Sequence, residues 1–305
     1  MSSSTTNSAA HAAPAINSRA IGPEDPVPQV KNVVLVMSGK GGVGKSTVAT
    51  NLSVALKRLG YRTGLLDADM YGPSIPTMFG VTGRPSSNGS KILPIERFGV
   101  KLMSIGFMLE DAKAAVVWRG PMLHGALMQF LGDVAWGELD FLVLDLPPGT
   151  GDVALTLSQK LQANGSIIVT TPQEVALADV YKSVSMNQKV GIPIVGVVEN
   201  NSYFICDGCE KRHELLGRGG GEKVAEMAHA PLLAQLPMDP LVQKWGDAGT
   251  PVVQAEPQSA IGQAFVELAL KLVDQISAAN EAGGGGLLNI DRSGGVNRHL
   301  PISRS

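Results

Sequence analysis

Residues 39–47 read GKGGVGKST. A glycine, four residues, then Gly44, Lys45 and Ser46 is the spacing of a phosphate-binding P-loop. NVVLVMS (32–38) precedes it, an apolar, valine-rich run of strand length. KSTVATNLSVALKRLG (45–60) follows with helical spacing, and Gly60 is its stop. A strand that feeds this loop and a helix that leaves it constrain the fold more than any other feature of the chain. Glycines let consecutive backbone N–H groups turn inward around phosphate oxygens, and the helix N-terminus adds partial positive charge. Gly39, Gly41, Gly42, Val43 and Gly44 form that cradle, and Thr47 belongs to the same site. Lys45 reaches the terminal phosphates, and the Ser46 hydroxyl ligates Mg²⁺.

The same grammar repeats along the chain. RTGLLDAD (62–69) and FLVLDLPPG (141–149) are apolar runs that end in acids and breakers. GSIIVTTP (165–172) and IPIVGVVENN (192–201) are further continuous apolar strands, and PLLAQLP (231–237) is a shorter one. Helical spacing fills 122–132, 153–163, 175–188, 220–229 and 258–278. Strands apolar throughout, alternating with helices, predict a parallel sheet buried on both faces. The glycines and acids fall after the strands, at the edge where open α/β sheets bind ligands. The expected single α/β domain covers 32–279. The flanking 1–31, rich in Ser, Ala and Pro, and the Gly-rich 280–305 are expected to be disordered tails.

A P-loop enzyme needs a carboxylate near Mg²⁺ and a group that orients the attacking water. Asp67 and Asp69 end the second strand, and Asp145 ends the strand FLVLD. Asp145 suits the metal role, Asp69 the water role, and Asp67 assists the metal. Helix capping or turn formation is the alternative for each. The glycine-containing segment 146–152 directly after Asp145 is placed to sense the γ-phosphate and to move when it leaves.

The chain has two cysteines, Cys206 and Cys209, in FICDGCEK (204–211). That number makes no disulfide framework, so a reducing compartment is expected. A redox pair, a half zinc site with His213 as third ligand, and a shared iron–sulfur cluster are the readings open to them. A cluster held by four thiolates needs two copies of this chain, related most simply by a two-fold axis. His213 is then expected to pack or hydrogen-bond beside the site rather than to ligate.

Lys40 directly follows the first glycine, giving GKGGVGKS. Here the chain resembles the deviant-Walker ATPases, the group of MinD, ParA and the nitrogenase iron protein. The resemblance implies that Lys40 reaches across a dimer to the partner's nucleotide and takes part in catalysis with Lys45, Asp69 and Asp145. A closer likeness runs from 31 to about 270 through SGKGGVGKS, DADMYGPS, VWRGPM (117–122), DLPPGTGD, TTPQEVAL, VVEN, YFICDGC and GTPVV. By these the chain resembles the Mrp/ApbC/Nbp family of iron–sulfur cluster carriers. The family implies a three-layer P-loop NTPase fold and a homodimer. It implies a [4Fe–4S] cluster between Cys206 and Cys209 of both subunits, slow ATP hydrolysis, and transfer to apo iron–sulfur proteins. It also puts Asn200, with Pro237 nearby, on the adenine. The family usually has E-N-M-S where Glu199, Asn200, Asn201 and Ser202 stand here, which puts the local packing in question.

Formal net charge is −2 with no basic block, so a nucleic-acid partner is not expected. No apolar run reaches the roughly 18–20 residues of a membrane span, and the N-terminus lacks a secretory core. A cytoplasmic place is expected. The alternative is the mitochondrial matrix, because the Ser/Ala-rich N-terminus is acid-poor up to Glu24, although it carries one arginine, Arg19. Two rival functions are a ParA/MinD-like positioning ATPase and a P-loop kinase with a structural zinc. The first asks for a basic surface or a basic amphipathic C-terminal helix. The second gives Lys40 nothing to do.

Overall fold

The computed structural model describes residues 13–70, 72–108, 120–149 and 151–282. In chain order the first half contains β1 (Val30–Ser38), α1 (Lys45–Arg58), β2 (Thr63–Asp67), α2 (Ile75–Met78), β3 (Ile95–Arg97), β4 (Val100–Ser104), α3 (Gly120–Gly132), β5 (Leu139–Asp145) and α4 (Gly151–Lys160). The second contains β6 (Gly165–Thr170), α5 (Glu174–Val190), β7 (Ile194–Glu199), β8 (Phe204–Ile205), β9 (Arg212–His213), α6 (Gly220–Ala228), β10 (Leu232–Gln235), α7 (Pro240–Asp247), α8 (Val252–Ala255) and α9 (Ala260–Glu281).

Eight strands form one sheet in the order β10-β7-β6-β1-β5-β2-β4-β3. Every pairing is parallel except β3 with β4, at one edge. The apolar run of β1 explains its central place. Val33, Leu35 and Met37 pack into one layer with Leu131, Leu157, Val180 and Val224. Val34 and Val36, one residue out of phase, pack into the other with Val48, Leu52, Leu268 and Leu272. A period of two across 33–37, apolar at every position, therefore serves helices on both faces. The three-layer α/β architecture is the one expected. Among the described residues no helix is long and apolar enough to cross a membrane.

The amino-terminal edge of the sheet is tied by amides. Asn164 Nδ2 donates to Asn32 Oδ1 and Asn280 Oδ1, both at 2.9 Å, and Asn280 Nδ2 donates to the Asn17 carbonyl at 2.9 Å. This corrects the expected start of the packed chain at residue 32. Residues 13–29 lie against the sheet, with Ile16, Arg19 and Val27 buried. Arg19 ion-pairs with Asp25, and its Nη2 donates to the Val27 carbonyl at 3.1 Å. The remainder of the expected N-terminal tail, 1–12, and 283–305 of the C-terminal one lie outside the described residues, as do 117–119 of VWRGPM and Tyr71 of DADMYGPS.

Candidate functional site

The phosphate loop leaves the carboxyl end of β1 and becomes the first turn of α1. Gly42 (φ 79°) and Gly44 (φ 83°) take the left-handed conformation that glycine tolerates. Close approach adds a second constraint. A Cβ on Gly44 would sit 2.1 Å from Asn200 Nδ2, and one on Gly39 would sit 2.3 Å from the Val180 backbone nitrogen. Gly41 and Gly42 are exposed, Val43 is buried, and Thr47 lines the adjoining cleft. Thus α5 closes on one side of the loop and the end of β7 on the other.

The three acids meet at the carboxyl edge because of strand register. Asp145 pairs with Val36 of β1 and with Asp67 of β2. Lys45, 6% exposed, donates to Asp145 Oδ1 at 2.7 Å and to Ser46 Oγ at 3.3 Å, and stands 3.3 Å from Asp69 Oδ2. Burial pushes the Asp145 carboxyl up, while Lys45 and Ser46 pull it down. Asp145 Oδ2 is buried and has no hydrogen-bond partner. A buried, unpartnered carboxylate oxygen beside a serine hydroxyl is a donor set that fits Mg²⁺.

Asp67 stands differently. Its Oδ2 accepts from Ser104 Oγ at 2.9 Å and from the Ile75 amide at 3.4 Å, and its Oδ1 accepts from the Asp69 amide at 3.1 Å. Complete burial, with Asp145 nearby, raises its carboxyl to about 8. Both of its oxygens are already engaged by the chain, which makes it a brace for the loop that carries Asp69.

A cleft of about 870 Å³ opens from the loop, walled by Gly44, Thr47, Asn200, Phe204, Pro237 and α7. It contains both residues expected on the adenine side. The Asn200 amide also braces the phosphate loop, because Nδ2 donates to the Val43 carbonyl at 2.9 Å. The departure at Asn201 has a local explanation, since its φ of 51° is one that asparagine tolerates better than most side chains. Of the segment 146–152, the Leu146 amide donates to the Val36 carbonyl and the Gly149 amide to the Ser38 carbonyl, at 3.1 and 3.0 Å. Thr150 lies outside the described residues. Lys40 is half-buried and forms no ion pair among the described residues.

The cysteines sit on a two-stranded hairpin. Phe204 pairs with His213 and Ile205 with Arg212. The Cys206 amide donates to the Lys211 carbonyl at 3.0 Å, and the Glu210 amide to the Cys206 carbonyl at 2.7 Å. Glu210 turns the chain with φ 57°. Amides of Gly208 and Cys209 donate to the Cys206 sulfur and hold its thiol below its ordinary value. The ligand atoms of Cys206, Cys209 and His213 all lie within 4.8 Å of one another.

Sequence reasoning missed Glu199 as a site residue. It is fully buried and accepts from Ser202 Oγ, from the Gly221 amide that opens α6, and from Gln235 Nε2. It thereby fastens the end of β7, next to Asn200, to α6 and β10. An acid closing an otherwise apolar strand was the available signal. The nearness of His213 to the thiols had no signal beyond its position four residues after Cys209.

A family model described as ParA, NUBPL iron-transfer P-loop NTPase, matches residues 29–273. An iron-sulfur cluster carrier protein of Aquifex aeolicus is 51% identical over 255 residues, which is 82% of this chain and 69% of that one. Among solved structures, the nucleotide-binding protein from Archaeoglobus fulgidus, in complex with ADP and with Co, aligns at a TM-score of 0.66 and 38% identity. That alignment covers 78% of this chain and 93% of the other. The Pyrococcus furiosus cell division ATPase MinD aligns at a TM-score of 0.59 and 24% identity over 80% of this chain and 98% of the other, which shows the shared fold.

Proposed function

Because the chain belongs to the ParA-type family of NUBPL iron-transfer P-loop NTPases, we propose that it is an ATP-dependent iron–sulfur cluster carrier. Two copies hold a [4Fe–4S] cluster as cargo on Cys206 and Cys209 of each, hydrolyse ATP, and pass the cluster to apo iron–sulfur proteins. The work is cytoplasmic and needs neither nucleic acid nor membrane.

The observation that carries this is a shared wall. Phe204 lines the nucleotide cleft and opens the hairpin, and Cys206 follows two residues later. The Met238 amide donates to the Tyr203 carbonyl at 2.6 Å, so the cleft's Pro237–Met238 segment is bonded to the residue that leads into that strand. A change in what fills the cleft has a path of two residues to the thiols.

Lys45 exchanges its carboxylate partners for the terminal phosphates, which releases Asp145 and Asp69. Ser46 and Asp145, with Asp67 behind, would hold Mg²⁺, which would supply positive charge to the transferred phosphoryl group. Asp69 orients the attacking water. Lys40 enters the partner's site as the two copies close, and it neutralises charge there. Asn200 and Pro237 flank the base. ATP favours the closed pair to the extent that it binds that state more tightly. Exposed Ile205 and Leu215 on either side of the cysteines offer apolar surface for the pair to bury.

Anaerobic loading with iron and sulfide, followed by incubation with an apo iron–sulfur protein, tests this. The loaded protein should restore the recipient's cluster faster with ATP, and Cys206→Ala should carry none. Absence of bound acid-labile sulfide after loading would overturn it.

A further inference from the structure

We propose that His213 is a third metal ligand, and that one protomer alone holds a single divalent transition-metal ion on Cys206, Cys209 and His213 with a fourth position open. This deepens the reading of the hairpin as the metal-handling end and rests on it.

The pleat provides the geometry. Directly paired residues of an antiparallel ladder point to the same face, and side chains two apart on a strand do so as well. Phe204 and His213 are a pair, and Cys206 lies two beyond Phe204. His213 and Cys206 therefore share one face of the hairpin. Ile205 and Arg212 take the other, where the Arg212 guanidinium sits 3.9 Å above the Tyr203 ring. That stack fixes which face is which. The turn then returns Cys209 to the first face, and the three ligand atoms come within 4.8 Å of one another.

Around a tetrahedral ion with metal–sulfur bonds of about 2.3 Å and metal–nitrogen bonds of about 2.0 Å, ligand atoms are roughly 3.5–3.8 Å apart. Closing the set by about an ångström is a matter of side-chain rotation, since Cys209 and His213 are exposed. Two sulfurs and an imidazole nitrogen select Fe²⁺, Co²⁺ or Zn²⁺ over Mg²⁺, which prefers the oxygens at Asp145 and Ser46. On binding, each thiol loses its proton and the imidazole donates a lone pair, so the three-ligand site with a divalent ion is neutral. The fourth position takes water. When two hairpins meet, their four thiolates suffice for a cluster and His213 is released. One ion per protomer and one cluster per pair are thus alternative occupancies of the same hairpin.

The test is an anaerobic Co²⁺ titration of the metal-free, full-length protein, read by absorption and native mass. The wild type should take one Co²⁺ per chain as a monomer, with thiolate-to-cobalt charge transfer and the d–d bands of a tetrahedral ion. His213→Ala should keep the charge-transfer band and lose more than about tenfold in affinity. His213→Cys should restore the affinity and strengthen the charge-transfer band. His213→Ala should still accept a full cluster, since four thiolates remain. Wild-type affinity and d–d bands in His213→Ala would overturn the inference, as would one Co²⁺ per two chains. No thiolate-to-cobalt band even in the wild type would overturn the assignment of the hairpin itself.

Discussion

Lys45 holds two carboxylates and a serine hydroxyl at once, and its removal has two separable consequences. Lys45→Ala should lose nucleotide affinity, measurable by calorimetry. It also leaves buried Asp145 without its cation. The variant's melting temperature should therefore fall further below wild type at pH 8 than at pH 5, because an unpaired buried carboxylate is costly only when ionised. Lys40→Ala behaves otherwise: hydrolysis should drop much more than nucleotide affinity, and equal loss of both would mean that Lys40 acts within its own chain. At Asp67 the carboxyl sits near 8 against an ordinary 3.8. The folded chain thus holds a proton that the unfolded chain releases, and this group's contribution to stability declines as pH rises from about 4 to about 8. Asp67→Asn removes that decline. Relative to wild type it should melt higher at pH 8 than it does at pH 5, and equal differences at both would contradict the assignment.

At the level of elements, short α7 shapes the cleft with Pro240, Val242 and Gln243. Asp239 caps it by accepting from the Leu241 amide at 2.8 Å. Asp239→Ala should cost about 1 kcal/mol in urea unfolding and weaken nucleotide binding by loosening the wall. This helix was not among those expected from the sequence, although an Asp-Pro start is a helix signal. The strand–loop–helix unit around Gly39–Ser46 was legible because its chemistry is local: an apolar run, glycines and a lysine at fixed spacing. β4 was not, because Lys101 interrupts a run of five residues. The packing of residues 13–29 was hidden for another reason. It rests on the Arg19–Asp25 pair and on the hydrogen bonds that the Asn32 and Asn280 amides donate to the Asn17 carbonyl, the latter joining distant positions and leaving no period. Family likeness alone was the ground for expecting Asn200 on the base. Its hydrogen bond to the Val43 carbonyl spans 157 positions and had no trace in the spacing.

For the whole molecule, the sheet puts the phosphate loop and the cysteine hairpin on one continuous surface. The carboxyl ends of β1, β2 and β5 carry the loop and the acids. The end of β7 carries Asn200 and leads within a few residues to Cys206. Each chain offers two thiolates there, half of what a four-cysteine cluster requires. On the proposed reading, nucleotide-driven closure of a pair is also the event that builds or opens the metal site. The direct measurement is native mass spectrometry with iron and sulfide analysis after anaerobic reconstitution. One [4Fe–4S] cluster on two chains, lost together with the pairing in Cys206→Ala, is the predicted result. A complete cluster on one chain, or a full cluster in the Cys206→Ala protein, would contradict it.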